Sequence, residues 1–456
     1  MTAKDQSKLN YGKTFVIGFG FFTTAITWSL YNSYVPIFLK KFITSATLIG
    51  VIMTLDNWAA IIIQPWIGSL SDRTRTRIGR RMPYIAAGIP VAALLFAIIP
   101  YVSMRETGEL IKTHLPLLGS VSLSTGILPV IGIIMLFNIA MAVYRAPVVA
   151  LMPDVTPSVH RSKANGVINL MGGVGSIIAY FAGSYMYDMG VPVPFVVTAV
   201  IMILALVILL LFIREKLPEP TTGAKTNSDT SGLDAPKEEK VGIIKSMGEI
   251  IVNKEKSALF ILLAILFWFI AFNSIETWFT TYGVDVLKVK ASTASRMLST
   301  VPLMFVIFAL PAGFIGTSLG RKKTILIGLA LFIVDLAIVT FTRRGLTLYI
   351  LFAFAGIAWA LINVNSITIV WELASAKKIG TYTGLYYFFS SLAQIIAPPL
   401  AGFIMDKTGR ASLFPFSIAF FILAFLMMFG VKRGEAESEE DAELKQRFID
   451  EHIDLD

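Results

Sequence analysis

Apolar residues gather in twelve blocks along this chain, near 14–39, 46–69, 84–102, 128–152, 164–187, 191–213, 257–283, 293–319, 323–342, 346–373, 380–404 and 412–431, with polar residues, glycine and proline between them. A block of about twenty residues is long enough for a helix to cross roughly 30 Å of hydrocarbon. The pattern predicts an all-α polytopic protein. It changes character once, where residues 215–256 include EPTTGAKTNSDTSGLDAPKEEK, a polar stretch rich in Gly, Pro, Ser and Thr. Such composition marks a connector. The chain therefore divides into a six-helix bundle over 1–214, a connector over 215–256, a second six-helix bundle over 257–434 and an acid-rich tail over 435–456. Inside the connector, VGIIKSMGEIIVN has the spacing of a short amphipathic surface helix, weighed against a plain linker.

Composition strengthens the membrane reading. Of 456 residues, 55% are hydrophobic and 15% charged, with a mean hydropathy of +0.72; a soluble core of this length could not hide so much apolar surface. With the N-terminus in the cytoplasm, the even-numbered gaps and the two termini hold more than two thirds of the 39 lysines and arginines. That bias is the positive-inside signal and puts both termini in the cytoplasm. The net charge of +9 then reflects topology, and no zinc spacing, RNA-binding aromatic pattern or DNA-reading basic helix suggests nucleic acid. Zero cysteines exclude disulfides and thiol chemistry. The first apolar block is too long for a signal peptide and lacks a small-residue cleavage site, so it is read as the first span. No nucleophile–base pair, phosphate loop or metal-ligand spacing is found, and the chain is read as a non-enzyme without cofactor or metal.

Within the blocks, polarity is expensive and therefore informative. Asp56 stands in the second block with Asn57 beside it and Gln64 two turns on. Residues 53, 56, 60 and 64 share one face of a continuous helix, so Met53, Asp56, Ala60 and Gln64 can line a seam. A carboxyl there can bind and release a proton as its access to water alternates. Arg145, beside Tyr144 in the fourth block, needs a partner: Asp56, or a substrate hydroxyl, against the plainer reading of an arginine that snorkels. Glu276 lies in FNSIETWFTTYG with Asn273, Trp278 and Tyr282. Comparable mixtures of aromatic and amide occur at Trp28, Tyr31 and Asn32, at Trp359 and Asn363, and at Tyr386, Tyr387, Ser390 and Gln394. Aromatic faces cover sugar C–H surfaces while amides and acids bind hydroxyls, although any single aromatic is as readily packing or interfacial belt. Asp335, on a peripheral helix, is not nominated.

Two strings carry an internal echo. PWIGSLSDRTRTRIGRR follows the second block and GFIGTSLGRKK follows the eighth, each ending a helix in small residues and entering a glycine–arginine turn. Pro-x-x-Gly-x-x-x-Asp occurs at Pro65, Gly68 and Asp72 and again at Pro399, Gly402 and Asp406. Repeat-built transporters leave such traces.

Gly68-x-x-x-Asp72-Arg73 followed by Gly79-Arg80-Arg81 resembles the cytoplasmic loop of the major facilitator superfamily. The longer QPWIGSLSDRTRTRIGRRMPYI and YRAPVVALMPDVTPSVHRSKANGVINLMGGVG resemble the glycoside-pentoside-hexuronide and solute-carrier-45-like group, which includes sucrose/proton symporters. The resemblance implies two six-helix bundles moving by alternating access around a small-molecule site. It implies a cytoplasmic gate at Asp72, Arg73 and Arg80, stabilising the outward-facing state, with Asp154, Arg161 and Glu372 associated; Thr317 stands where the second copy would have its aspartate. Helices one, four, seven and ten, helped by two, five, eight and eleven, would line the cavity. The substrate-binding candidates are then Trp28, Tyr31, Asn32, Asn57, Gln64, Tyr144, Arg145, Asn273, Glu276, Trp359, Asn363, Tyr387 and Gln394, with Asp56 as the coupling group. Two departures bear on the ion. Ile134 occupies the place of an acid in the fourth helix of plant sucrose symporters, and Ala60 replaces the second acid of the sodium-using melibiose-type relatives. One carboxylate suits a proton better than sodium.

The expectation is a monomeric, proton-coupled importer of a glucoside or disaccharide in a bacterial-type plasma membrane, with the lipid bilayer and the sugar as its partners. A transport-inactive nutrient receptor and an exporter of an amphipathic drug or lipid are the competing readings.

Overall fold

The computed structural model describes residues 10–105, 108–116, 119–156, 160–213, 247–248, 255–342, 345–373 and 379–432. Among the described residues, twelve helical spans are long and apolar enough to cross a membrane: Tyr11–Lys40, Ala46–Arg73, Met82–Ser103, Ile127–Val155, Ala164–Met189, Val193–Phe212, Ser257–Asp285, Ala291–Leu319, Arg321–Phe341, Gly345–Leu373, Gly380–Thr408 and Arg410–Gly430. They match the twelve apolar blocks to within a few residues. The connector lies almost wholly, and the acid-rich tail wholly, outside the described residues, as does most of the suggested amphipathic helix.

The spans pair in a pattern that repeats six spans later. In the first half the first span packs on the fifth and sixth, the second on the fourth, and the third on the fourth and sixth; in the second half the seventh packs on the eleventh and twelfth, the eighth on the tenth, and the ninth on the tenth and twelfth. Sequence periodicity fixes which stretches are helical; only this packing shows that the halves are copies.

Both halves also break their second helix at the same point. The second span consists of a helix over Ala46–Met53 and another over Leu55–Arg73. The eighth consists of Ala291–Leu298 and Thr300–Leu319. At each break a hydroxyl turns back onto its own helix: Thr54 Oγ1 donates to the Val51 carbonyl at 2.9 Å and Ser299 Oγ to the Arg296 carbonyl at 2.7 Å. This competition for backbone carbonyls interrupts regular helix. The break corrects the expected continuous seam of Met53, Asp56, Ala60 and Gln64, because Met53 belongs to the preceding helix and Asp56 to the first turn of the next.

A second correction concerns the segment between the third and fourth spans. It forms an antiparallel hairpin, β1 (Leu110–Leu115) paired with β2 (Gly119–Ser124). The hairpin docks on the first turn between spans: Thr44 N–H donates to the Ser122 carbonyl at 3.3 Å and Ser124 N–H to the Phe42 carbonyl at 2.9 Å. The fold is thus nearly, not wholly, helical.

The two halves meet at the end opposite the arginine-rich loop. There Lys40 pairs with Asp285, Arg296 with Asp188 at 3.4 Å, and Arg410 with the Thr44 carbonyl at 3.4 Å. Asp406 of the eleventh span seals the start of the second, accepting from Ser45 Oγ (2.6 Å), Ala46 N–H (2.7 Å), Thr47 N–H (2.9 Å) and Thr47 Oγ1 (2.7 Å). A carboxylate at a helix N-terminus satisfies donors that have no partner within the helix. Two glycines permit the approach: a Cβ on Gly50 would stand 2.4 Å from the Pro398 carbonyl oxygen, and one on Gly402 2.5 Å from that of Ala46. The second Pro-x-x-Gly-x-x-x-Asp is therefore no repeat counterpart of the first. The counterpart of the second span is the eighth, and Pro399, Gly402 and Asp406 belong to a seam between the halves. Toward the arginine-rich end, Gly68, Gly166 and Gly384 face open space.

Candidate functional site

Three polar groupings stand out, and the first lies wholly in the N-terminal half. Asp56, in the first turn after the break at Thr54, accepts from Asn57 Nδ2 at 3.0 Å. Arg145 of the fourth span is near enough for its charge to act on Asp56, yet among the described residues it has no ion pair or hydrogen bond. Tyr31 of the first span faces both Asp56 and the Asn138 carboxamide. Trp28 and Tyr31 meet edge to face at 5.3 Å, and Tyr31 stacks on Phe137 at 5.7 Å. The hydroxyls of Tyr31 and Tyr144, the indole N–H of Trp28 and both polar atoms of the Asn138 amide are buried without a hydrogen-bond partner among the described residues. Buried polar atoms are ordinarily paired. Tyr31 and Asn138 face each other and the Tyr144 hydroxyl faces Thr23 and Thr24, so these contacts are loose, and the Tyr31–Asn138 pair beside Asp56 marks a place for a polar ligand or ordered water.

The second grouping crosses the boundary between the halves. Tyr180 of the fifth span donates to Glu276 of the seventh at 3.1 Å, and Asn32 of the first span also faces that carboxyl. Ser29 and Ser176 bond each other alongside at 3.0 Å. Glu276, Tyr180 and Ser176 line a cavity of about 220 Å³ whose other walls are apolar and include Phe272, Phe305, Phe332, Phe352 and Trp359. Trp359 stacks on Phe272 with ring centroids 3.9 Å apart.

The third grouping sits at the arginine-rich end. Gly79 has φ 116°, a left-handed conformation that glycine adopts without strain, and the turn it makes aims both following arginines at the fourth span. Arg80 pairs with Asp154 at 2.6 Å. Arg81, only 5% exposed, joins Asp154 at 2.9 Å, Asp72, and the Ser71 hydroxyl. The C-terminal half repeats the arrangement with Arg321 at the start of the ninth span and Glu372 at the end of the tenth, 2.7 Å apart.

The expected gate needs one correction. Arg73 is exposed and outside the network, whose hub is Arg81. The pairs each join spans of a single half. Arg161 opens the fifth helix, but its side chain lies outside the described residues.

Of the other substrate candidates, Trp28, Tyr31, Asn57 and Arg145 gather around Asp56, Tyr144 faces Thr23 and Thr24 of the first span, and Asn32, Glu276 and Trp359 gather around the cavity. Asn273 Nδ2 donates to its own helix at Phe269, 2.8 Å away. Tyr387 is 58% exposed and joins neither cluster, whereas its buried neighbour Tyr386 meets Ser366 at 3.0 Å. Gln64, Asn363 and Gln394 are half-buried and enter neither network. Asn138, Tyr180 and Ser176 were missed. Asn138 had a signal, a lone amide seven residues before Arg145 and so on its helical face; Tyr180 had none, because its partner is in the other half. Asp335 is on a peripheral span as expected, but it is buried with both carboxyl oxygens unpartnered among the described residues.

The profile of the Major Facilitator Superfamily matches residues 17–301 and 287–452. The chain belongs to the Major Facilitator Superfamily. Among its relatives are a hexuronate transporter of Bacillus subtilis (strain 168), 24% identical over 415 residues that cover 84% of this chain and 90% of the relative, and the class B tetracycline resistance protein of Escherichia coli, 26% identical over 390 residues covering 82% and 83%. A bacterial homologue of the human lysosomal transporter Spinster, in an inward-facing and occupied conformation, superposes with a TM-score of 0.65 at 13% identity, over 92% of this chain and 96% of that one. That likeness bears on the fold alone.

Proposed function

We propose that this superfamily member imports a sugar with a proton, the sugar seated against the Asp56–Arg145 cluster and the proton carried by Asp56. The observation that carries the reading is the set of loosely held buried polar groups there, the Trp28 indole N–H, the Tyr31 hydroxyl and the Asn138 carboxamide facing it, set among aromatic faces. Donors and acceptors in one small space suit a molecule with many hydroxyls. The hexuronate-transporting relative is consistent with that class. Arg145, without an ion pair among the described residues and within electrostatic reach of Asp56, links the two ligands: neutralising Asp56 removes its pull on the guanidinium, whose planar fork suits bidentate hydrogen bonding to a substrate oxygen.

In this reading the positive-inside bias puts the arginine-rich end in the cytoplasm. The conformation described is then closed outside and open inside, and alternating access is the rocking of the two halves about the central clusters. The aromatic cavity at Glu276 and the tetracycline-resistance relative favour a second reading, export of an amphipathic molecule; a transport-inactive receptor would bind without accumulation.

Uptake of radiolabelled mono-, di- and trisaccharides into proteoliposomes, with and without an inward pH gradient and with sodium varied separately, tests the proposal. Proton-driven accumulation of a sugar supports it. Binding without accumulation indicates the receptor, and outward drug movement without sugar uptake indicates the exporter.

A further inference from the structure

The loop after the second span keeps three of its arginines out of the charge network that engages Arg80 and Arg81. Along Arg73-Thr74-Arg75-Thr76-Arg77 both threonines are half-buried and held. Thr74 Oγ1 donates to the Leu70 carbonyl at 2.9 Å and meets the Tyr84 hydroxyl at 2.7 Å, while Thr76 Oγ1 donates to the Gly79 carbonyl at 2.6 Å. The alternation leaves Arg73, Arg75 and Arg77 exposed on a fixed backbone, and among the described residues their guanidiniums have no ion pair or hydrogen bond. Orientation in the membrane asks only for positive charge near a short loop. It does not ask for a charge at every second position of a backbone held by side-chain bonds.

The chain carries a matching row of acids. Residues 434–443, GEAESEEDAE, hold six acids and no base, and the first three, Glu435, Glu437 and Glu439, also fall at every second position. This segment lies outside the described residues, but the point where it leaves the bundle is fixed. Lys432 N–H donates to Ser257 Oγ at the start of the seventh span at 2.8 Å, and Lys322 Nζ, at the start of the ninth, donates to the Val431 carbonyl at 2.5 Å. Ten spans separate the arginine loop from this segment, an even number, so both lie on the same side of the membrane. Glu435 to Glu439 stand three to seven residues beyond Lys432, a reach of at most about 10–25 Å. Anionic lipid headgroups also come near arginines at a membrane surface. They carry no fixed spacing, whereas the acidic segment offers its charges at the interval of the arginines, and tethering raises its local concentration to about the millimolar range.

We propose that Arg73, Arg75 and Arg77 form a docking surface for this chain's own acidic segment, with Glu435, Glu437 and Glu439 as the partners. The loop belongs to the N-terminal half and the tether to the C-terminal half. A contact made over so short a chain draws the two halves together at the arginine-rich end and favours the arrangement closed there. Each exposed pair is weak and screened by salt, so the tie biases the equilibrium without locking it. The inference rests on the superfamily fold and on no substrate or coupling ion.

Because the chain has no cysteine, two pairs of introduced cysteines test the contact in the full chain, in phosphatidylcholine nanodiscs. The first pair is Ile78→Cys, at the exposed tip of the loop, with Ser438→Cys, and it reads docking by the rate of disulfide formation under copper–phenanthroline. That rate should fall about tenfold between 0.1 M and 1 M salt, as the screening length shrinks from about 10 Å to about 3 Å. Arg75→Glu or Glu437→Arg alone should slow it about three- to tenfold, and the two together should restore it. Glu437→Arg changes no residue of the bundle, so its effect is not a folding defect. The second pair, spin-labelled Ile78→Cys and Lys323→Cys, both exposed and one on each half, reads the gap at the arginine-rich end. Ending the chain after Arg433 should lower the closed-to-open ratio there about two- to tenfold and remove most of its dependence on salt. A disulfide rate indifferent to salt and to both charge reversals overturns the docking, as does a double reversal no faster than either single one. Unchanged distances after truncation overturn the tie between the halves. If Arg75→Glu instead lowers the retention of labelled phosphatidylglycerol and leaves the disulfide rate as it was, the arginines hold lipid headgroups and the proposal fails.

Discussion

The Asp406 carboxylate, at the end of the eleventh span, accepts from both the backbone N–H and the hydroxyl of Thr47 in the second span, at 2.9 and 2.7 Å, across the boundary between the halves. A capping interaction normally holds one helix; this one holds two bundles together. Removing a helix cap costs about 0.5–2 kcal/mol. Asp406→Ala should therefore lower the closed-to-open ratio at the outer end about two- to thirtyfold, read by the spin-label distance between Arg105→Cys and Lys288→Cys. An unchanged distance distribution would show that the cap does not contribute to closure.

Steric closeness makes a stronger demand at the same seam. Gly50 and Gly402 leave no room for a Cβ against the backbone of the other half. Gly402→Leu should hold the outer end apart and abolish net transport while the purified protein stays monodisperse. Gly68→Leu, facing open space, should leave the conformation described here undisturbed. Normal turnover by Gly402→Leu would contradict the seam.

Arg81 and Arg73 should behave oppositely despite their nearness in sequence. Arg81 is buried against Asp72 and Asp154, and deleting one member of a buried ion pair costs about 3–5 kcal/mol. Arg73 is exposed, and its loss should stay within about 0.5 kcal/mol. Thermal unfolding of Arg81→Ala and Arg73→Ala in detergent checks the contrast.

Asn138 should show stability and function in opposition. Both of its side-chain polar atoms are buried and unpartnered, and an unsatisfied buried group costs about 1–3 kcal/mol. Asn138→Leu should raise the melting temperature of the ligand-free protein and abolish sugar binding. A variant that binds normally would remove Asn138 from the site.

Asp56→Asn keeps the shape and hydrogen bonding of the side chain but cannot carry a proton. Sugar exchange down a gradient should survive, and accumulation driven by an imposed pH gradient should disappear. One charge crossing a membrane potential is worth about 2.3 kcal/mol per 100 mV, or nearly two decades of accumulation, so the loss is readily measured. Proton-driven accumulation by the mutant would move the coupling role away from Asp56.

The sequence by itself determined the twelve spans, because a helix that crosses hydrocarbon must satisfy its backbone internally and show about twenty apolar residues in a row. It also determined the polar residues worth attention, since Asp56, Arg145 and Glu276 stand out against apolar surroundings. Tertiary structure decided what each of them meets. Asp56 and Arg145 share one half while Glu276 is held from the other, and no spacing along the chain distinguishes those cases. The break at Thr54 was hidden because a single hydroxyl competing for a carbonyl leaves the hydrophobic pattern intact. Arg81 looked equivalent to its neighbours until the positive φ of Gly79 aimed it inward. Asp406 carried a visible motif, but its partner Thr47 lies 359 residues away, and a contact between moving halves is created by how the bundles pack, which local sequence does not encode.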